Sequence, residues 1–146
     1  MILALAGNPN SGKTTLFNAL TGLSQHVGNF PGVTVERMEG ALRLHPSVTV
    51  VDLPGMYSLT ALSREEEVSR AYLKETPPDA VINIVDATCP ERGLYLTVQL
   101  LETGLPLVVA MNMMDAVEKA GGKVDCAALS GELGVAVLPL AASRGE

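Results

Sequence analysis

Hydrophobic positions fall along this chain in short unbroken runs, each followed by a polar or glycine-bearing turn. Ile2–Ala6 is the first run, and it stops at Gly7-Asn8-Pro9-Asn10. Ala80–Asp86, Leu107–Met111 and Val135–Leu140 repeat the form. Continuous apolar runs of this length read as strands buried on both faces. Between them the spacing changes to a helical one over Thr14–Leu20, Glu91–Glu102, Met113–Ala120 and Asp125–Leu133. Ser63 with Glu66 three residues on forms a capping box, opening a helix that Pro77-Pro78 ends. Val35–Leu44 and Val48–Asp52 flank His45-Pro46-Ser47 and predict a hairpin. Residues 23–34 and 54–62 read as loops. The alternation predicts an α/β fold: a mostly parallel sheet of about six strands, helices on both faces and one antiparallel edge hairpin. Ligands on such sheets bind at the carboxyl ends of the strands. Polar, glycine-rich segments follow Ala6, Val51, Met111 and Leu140, so four loops are expected on one rim.

The 146 residues fit one domain, and 47% hydrophobic content supplies its core. Only 3% of residues are aromatic and Trp is absent, so that core must be aliphatic. Ten basic against sixteen acidic residues give a net charge of −6. A general nucleic-acid binder would show a basic face instead. The charge does not exclude phosphate, because a nest of backbone N–H groups binds anions locally. Cys89 and Cys126 have no metal-ligand spacing and read as reduced, buried thiols. The first apolar run is too short for a signal core or a membrane span, so this chain by itself is expected to be soluble.

Gly7-Asn8-Pro9-Asn10-Ser11-Gly12-Lys13-Thr14 matches G-x-x-x-x-G-K-[ST] at every position, between a predicted strand and a predicted helix. The glycines allow close wrapping of phosphate oxygens, and loop and helix N–H groups face the anion. Lys13 is expected on the β- and γ-phosphates, and the Thr14 hydroxyl on Mg²⁺. Thr15, next in the helix's first turn, completes the expected phosphate set.

Asp52-Leu53-Pro54-Gly55 closes a strand with D-x-x-G. Alone this pattern is mostly a turn cap. One hairpin after a phosphate loop, it makes Asp52 the second Mg²⁺ group and the Gly55 N–H a γ-phosphate contact. Asn112-Met113-Met114-Asp115 closes a later strand with N-x-x-D. A carboxylate at Asp115 accepts from guanine N1–H and N2–H₂ together, which adenine does not offer. Asn112 would tie this loop to the phosphate loop. Met113 stands where such proteins carry Lys, and its thioether can still cover a base. Ala141-Ala142-Ser143-Arg144 sits where a backbone N–H would meet the guanine O6.

The order and spacing of these motifs resemble those of translation-factor-related GTPases over the whole chain. A finer likeness lies in Val27-Gly28-Asn29-Phe30-Pro31-Gly32-Val33-Thr34-Val35-Glu36, Asp52-Leu53-Pro54-Gly55-Met56-Tyr57-Ser58-Leu59 and Asn112-Met113-Met114-Asp115. These resemble switch I, switch II and the variant base motif of the ferrous iron transport protein B family. The Phe30 position is more often Trp there. The resemblance implies a P-loop GTPase (Ras-like) fold and Mg²⁺-dependent hydrolysis of GTP to GDP. Several threonines lie near switch I; the resemblance selects Thr34, with Gly32 and Val33, as the γ-phosphate and Mg²⁺ sensor. It further implies a G domain over 1–146, cut before its last helix. A helical regulatory domain and a membrane domain carrying Fe²⁺ would follow, with the domain on the cytoplasmic side of a bacterial inner membrane. No residue here reads as an iron site.

Ras-type GTPases orient the attacking water with a Gln directly after D-x-x-G. Met56 occupies that position and cannot do so. Arg64 and Arg70 read as helix-surface charge, so intrinsic hydrolysis is expected to be slow. In potassium-activated GTPases an Asn at the Asn10 position helps hold K⁺ beside the phosphates. That likeness implies a K⁺ site of Asn10 with the carbonyls of Gly28 and Phe30, and makes Asn10, Lys13 and Thr34 the catalytic set. Three other readings stay open: a ribosome-assembly or tRNA-modification GTPase, a P-loop ATPase or kinase, and a non-hydrolysing switch that acts as a binding module.

Overall fold

The computed structural model describes residues 1–22, 25–60 and 63–144. Leu23, Ser24, Ala61 and Leu62, which belong to the two expected loops, lie outside the described residues, as do Gly145 and Glu146. The chain runs β1 (Ile2–Gly7), α1 (Lys13–Thr21), β2 (Gln25–Asn29), β3 (Glu36–Ala41), β4 (Thr49–Asp52), α2 (Arg64–Glu75), β5 (Ala80–Asp86), α3 (Pro90–Glu102), β6 (Leu107–Asn112), α4 (Met114–Lys119), α5 (Cys126–Leu133) and β7 (Val137–Pro139). A single 3₁₀ turn, Ala142–Arg144, follows.

The strands form one sheet in the order β2-β3-β4-β1-β5-β6-β7. Pairs from β4 through β7 are parallel, whereas β2–β3 and β3–β4 are antiparallel. Seven strands stand where about six were expected. The addition is β2, placed in a predicted loop. Its sequence, Gln-His-Val-Gly-Asn, has no apolar alternation, and four of its five residues are exposed. Its ladder to β3, Gln25 opposite Gly40 through Asn29 opposite Glu36, makes it a strand. Such an edge is set by backbone pairing, which leaves no hydrophobic record.

Alternate residues of the central strands point to opposite faces. Ala4, Ala6, Val51 and Val81 join Tyr72 and Leu73 of α2 and Leu96 and Leu100 of α3 in one cluster. Val85, Val109 and Met111 extend that face beneath α4 and α5. Leu5, Val50, Ile84 and Ala110 meet Leu16 and Phe17 of α1 on the other. Helix starts follow local chemistry. Ser63 accepts the Glu66 N–H at 3.1 Å to open α2, and Asp125 accepts the Ala128 N–H at 2.9 Å to open α5. By contrast α1 has neither a side-chain cap nor an acidic residue in its first turn. Among the described residues no helix is long and apolar enough to cross a membrane.

Candidate nucleotide site

The loop from Gly7 to Thr14 joins β1 to the uncapped end of α1, and steric contacts fix its path. A Cβ at Gly7 would stand 2.8 Å from the Ile84 carbonyl oxygen. Gly12 has φ +92°, and a Cβ there would stand 2.1 Å from Asn112 Nδ2. Only glycine fits both the left-handed backbone and that approach. Ser11 is 2% exposed, yet its hydroxyl has no hydrogen-bond partner, and the same holds for the buried Asn8 Oδ1. An uncommitted Ser11 hydroxyl, able to donate, beside an uncapped helix N-terminus suits a bound anion, whereas Asn8 Oδ1 can only accept.

Asn112, the last residue of β6, is 2% exposed and makes two long-range bonds. Its Nδ2 donates to the Ser11 carbonyl at 3.0 Å, and its Oδ1 accepts the Ala142 N–H at 2.9 Å. The expected tie to the phosphate loop is therefore present, and a second one reaches the last loop. It also changes one expectation: the Ala142 N–H is held by Asn112, so a contact to a base oxygen would fall to another residue of that turn. Met113 adopts a left-handed backbone, φ 64°, which turns the chain into α4. It lines a cleft of about 770 Å³ with Asn8, Pro9, Asn10, Gly12, Lys13, Thr14 and Thr15. Asp115 sits half-buried in the first turn of α4, while Ser143 and Arg144 are exposed on the 3₁₀ turn.

A second cleft of about 600 Å³ adjoins the first, with Lys13, Thr14, Gly55 and Glu65 common to both. Thr14, Thr34 and Asp52, the three expected Mg²⁺ groups, all line it. Two hydroxyls and a carboxylate suit a hard divalent cation. In this structure the Lys13 ammonium pairs with Asp52 Oδ1. Burial pushes the Asp52 carboxyl above its ordinary value, and the charge and hydrogen bond of Lys13 pull it partly back. A cation thus already stands at this carboxylate, and the donor set fits Mg²⁺.

Asn10, Phe30 and Gly28, the expected K⁺ set, line three different clefts. Asn10 lines the phosphate cleft, whereas Gly28 is paired with Arg37 in the β2–β3 ladder. Phe30 is 3% exposed, and its ring meets Tyr72 edge-on at 5.9 Å. The Arg37 guanidinium lies 5.6 Å from both ring centroids. The Phe30 carbonyl accepts the Val33 N–H at 3.3 Å, so it is engaged within its own turn. Gly32, Val33 and Thr34 follow in that turn, with Thr34 exposed. Hydrophobic burial of Phe30, opaque from sequence, fixes where this segment lies.

Switch II also differs from its local reading. The Glu66 carboxylate does not return to Ser63. It accepts the N–H groups of Tyr57 and Ser58, at 3.0 and 3.1 Å. Tyr57, Glu65 and Glu66 line the phosphate cleft, a role the sequence signalled only through the Ser63–Glu66 spacing. Met56 is fully buried in the core beneath them.

A phosphate loop between the first strand and first helix, D-x-x-G on the neighbouring strand and N-x-x-D two strands away define the fold of the P-loop GTPases. The sequence model described as ferrous iron transport protein B matches residues 1–146. The Fe(2+) transporter FeoB of Salmonella typhimurium is 52% identical over 151 residues, covering 100% of this chain and 20% of that protein. The Fe(2+) transporter FeoB of Escherichia coli (strain K12) is 51% identical with the same coverage. A mutant S. thermophilus NFeoB bound to GDP superposes with a TM-score of 0.95 at 49% identity, over 99% of this chain and 57% of that one. The cytosolic domain of the T. maritima FeoB iron transporter in its GMPPNP form gives 0.94 at 42% identity, over 100% and 58%. This chain belongs to the ferrous iron transport protein B family and spans 20% of the length of these curated relatives.

Proposed function

We propose that this domain binds guanine nucleotide and slowly hydrolyses GTP to GDP and phosphate with Mg²⁺. We infer further that it does so as the cytoplasmic regulatory domain of a bacterial ferrous iron transporter, acting on a helical domain and a membrane domain of the same protein. The observation that carries the reading is the Asn112 bracket, which joins the phosphate loop to both loops on the base side. The GDP-bound S. thermophilus structure and the GMPPNP form from T. maritima support the ligand class.

Phosphate binding requires Lys13 to exchange Asp52 for the β- and γ-phosphate oxygens. Asp52, freed of the ammonium, and the hydroxyls of Thr14 and Thr34 would then hold Mg²⁺. The metal's chemistry is to neutralise charge on the β- and γ-oxygens as water adds to the γ-phosphorus and the bond to the bridging oxygen breaks. The Gly55 N–H faces the same group. With Met56 in the core, no side chain of switch II's second position orients the water, hence the slow rate. K⁺ stimulation remains part of the proposal, with Asn10 and the carbonyls of Gly28 and Phe30 as the groups that would hold the ion. The burial of Met56 favours one second reading, a nucleotide switch that binds without turning over.

Calorimetry with GDP and ADP tests the base assignment. GDP is expected to bind far more tightly. Asp115→Asn should weaken guanine binding by about 1–3 kcal/mol and favour xanthine, whose O2 accepts where guanine donates. Equal affinity for ADP and GDP in the wild type would remove Asp115 from the role. Single-turnover GTP hydrolysis with Mg²⁺ separates the enzyme from the binding module.

A further inference from the structure

With Met56 buried where a water-orienting side chain would stand, switch II depends on how its backbone is held. From Met56 to Thr60 five successive N–H groups each have a protein acceptor. Met56 donates to the Gly7 carbonyl at 2.9 Å. Tyr57 and Ser58 donate to Glu66 Oε2. Leu59 donates to Gln99 Oε1 at 2.6 Å, and Thr60 to Ser58 Oγ at 2.9 Å. Loop N–H groups near a surface ordinarily turn to water, so such complete internal pairing marks a loop held in one shape.

The acceptors differ in what they are attached to. Gly7 belongs to β1 and pins the start of the segment. Glu66 belongs to α2, which continues from the loop, and Ser58 is part of the loop itself. Gln99 is different: it sits forty residues away in sequence from Leu59, on α3. That helix is fastened to the sheet by Leu96 and Leu100, 0% and 1% exposed. It is also fastened by Thr97, whose hydroxyl donates to Asn83 Oδ1 inside β5, while Asn83 Nδ2 donates to the Ala6 carbonyl at 3.3 Å. Seven residues before Gln99, on the same face of the helix, Arg92 lies 5.8 Å from the centre of the Tyr57 ring. The second Gln99 contact, Nε2 to Thr60 Oγ1, is 3.5 Å long and adds little.

We propose that Gln99 is a positioning residue. By accepting the Leu59 N–H it fixes the far end of switch II to α3, as Gly7 fixes the near end. The span between, Met56 to Leu59, which carries Tyr57 into the phosphate cleft beside Gly55, is thereby held at a set distance from the γ-phosphate. The consequence for hydrolysis rests on the GTPase reading above; the hold on the loop does not. GDP, which lacks the γ-phosphate, does not engage this span, so the residue should act on turnover and leave GDP affinity alone.

The test compares wild type, Gln99→Met and Gln99→Glu. Methionine keeps the length and removes the acceptor; glutamate keeps an acceptor oxygen. Amide hydrogen exchange is read by NMR at Leu59 and at β1 and β5, alongside single-turnover GTP hydrolysis, GDP affinity and thermal midpoint. In wild type the Leu59 amide should be protected. In Gln99→Met it should exchange about fivefold faster, the loss expected for one hydrogen bond, with β1 and β5 unchanged. Hydrolysis should slow by about five- to tenfold with GDP affinity within about twofold, and glutamate should restore both. An unprotected Leu59 amide in wild type overturns the proposal and needs no variant to fold. So does a Gln99→Met protein whose Leu59 exchange is unaltered, or one in which core protection, midpoint and GDP affinity fall together. A wild type that binds but never hydrolyses GTP would defeat the catalytic reading, and Leu59 exchange would still decide the role of Gln99.

Discussion

The phosphate loop and the switch I segment approach the same pair of clefts, yet they are held by different forces. From Gly7 to Thr14 the path is set by close contacts: Gly7 against Ile84, Gly12 against Asn112, and Ser11 bonded to Asn112. No side chain of this loop has to leave the core for it to receive phosphates. From Gly28 to Thr34 the path is set by the pairing of Gly28 and Asn29 with β3, by the backbone bonds of Phe30 to Val35 and Val33, and by one buried ring, Phe30, against Tyr72 and Arg37. Burying a Phe side chain is worth about 1.5–3 kcal/mol. A few new contacts from a γ-phosphate and a cation are enough to offset that amount. On the proposed reading the binding half of the site is thus built in place, while the sensing half would be moved by its ligand.

The largest expected effect breaks the built half. Lys13→Ala removes charge-assisted bonds to phosphate, each worth about 1.5–3 kcal/mol, so GTP affinity in calorimetry should fall by about a hundredfold or more. Circular dichroism should show the fold retained. Normal GTP binding by this variant would mean that the loop is not the phosphate site, and the contrast between the halves would lose its basis.

A smaller effect sharpens the moving half. Asn10, Phe30 and Gly28 line different clefts, so a K⁺ effect would report on how residues 28–30 approach Asn10. GTP turnover in KCl is expected to exceed that in NaCl on the order of tenfold, a fraction of the 10³–10⁵ an arginine finger supplies. Asn10→Ala should abolish the difference with nucleotide affinity unchanged. No preference for K⁺ in wild type removes the ion from the account. Loss of binding together with rate would make Asn10 a brace of the loop.

The smallest effect concerns Asp52, where the halves meet. Its carboxyl is raised above 3.8 by burial, with Lys13 opposing. Between 3.8 and the raised value the folded protein binds more protons at this site than the unfolded chain, so stability falls as pH rises through that window. Subtracting an Asp52→Asn unfolding series from that of wild type should isolate this downward slope. A difference that is flat or rising with pH would show that Lys13 outweighs burial.

Much of this was legible in the residues themselves. The Gly7–Thr14 octet, the strand ending at Asp52 and the strand ending at Asn112 are local patterns, and each element formed within a residue or two of its expected place. Ser63 was legible as a helix cap, but Glu66 was legible only as half of it, because its carboxylate turns to Tyr57 and Ser58 across the loop. The second bond of Asn112, to Ala142, was equally hidden. The exposed ribbon β2 carried no pattern at all, because backbone pairing alone makes it.

The sequence by itself determined the order of strands and helices, the phosphate loop and the family, because periodicity and short spacings record what each segment buries or binds locally. Tertiary structure decided which acceptor each switch II amide finds and that Met56 and Phe30 are core residues. Those outcomes depend on side chains tens of residues distant meeting in a packed interior. A polar group buried there takes the partner that packing brings within reach, and no local spacing specifies which one that is.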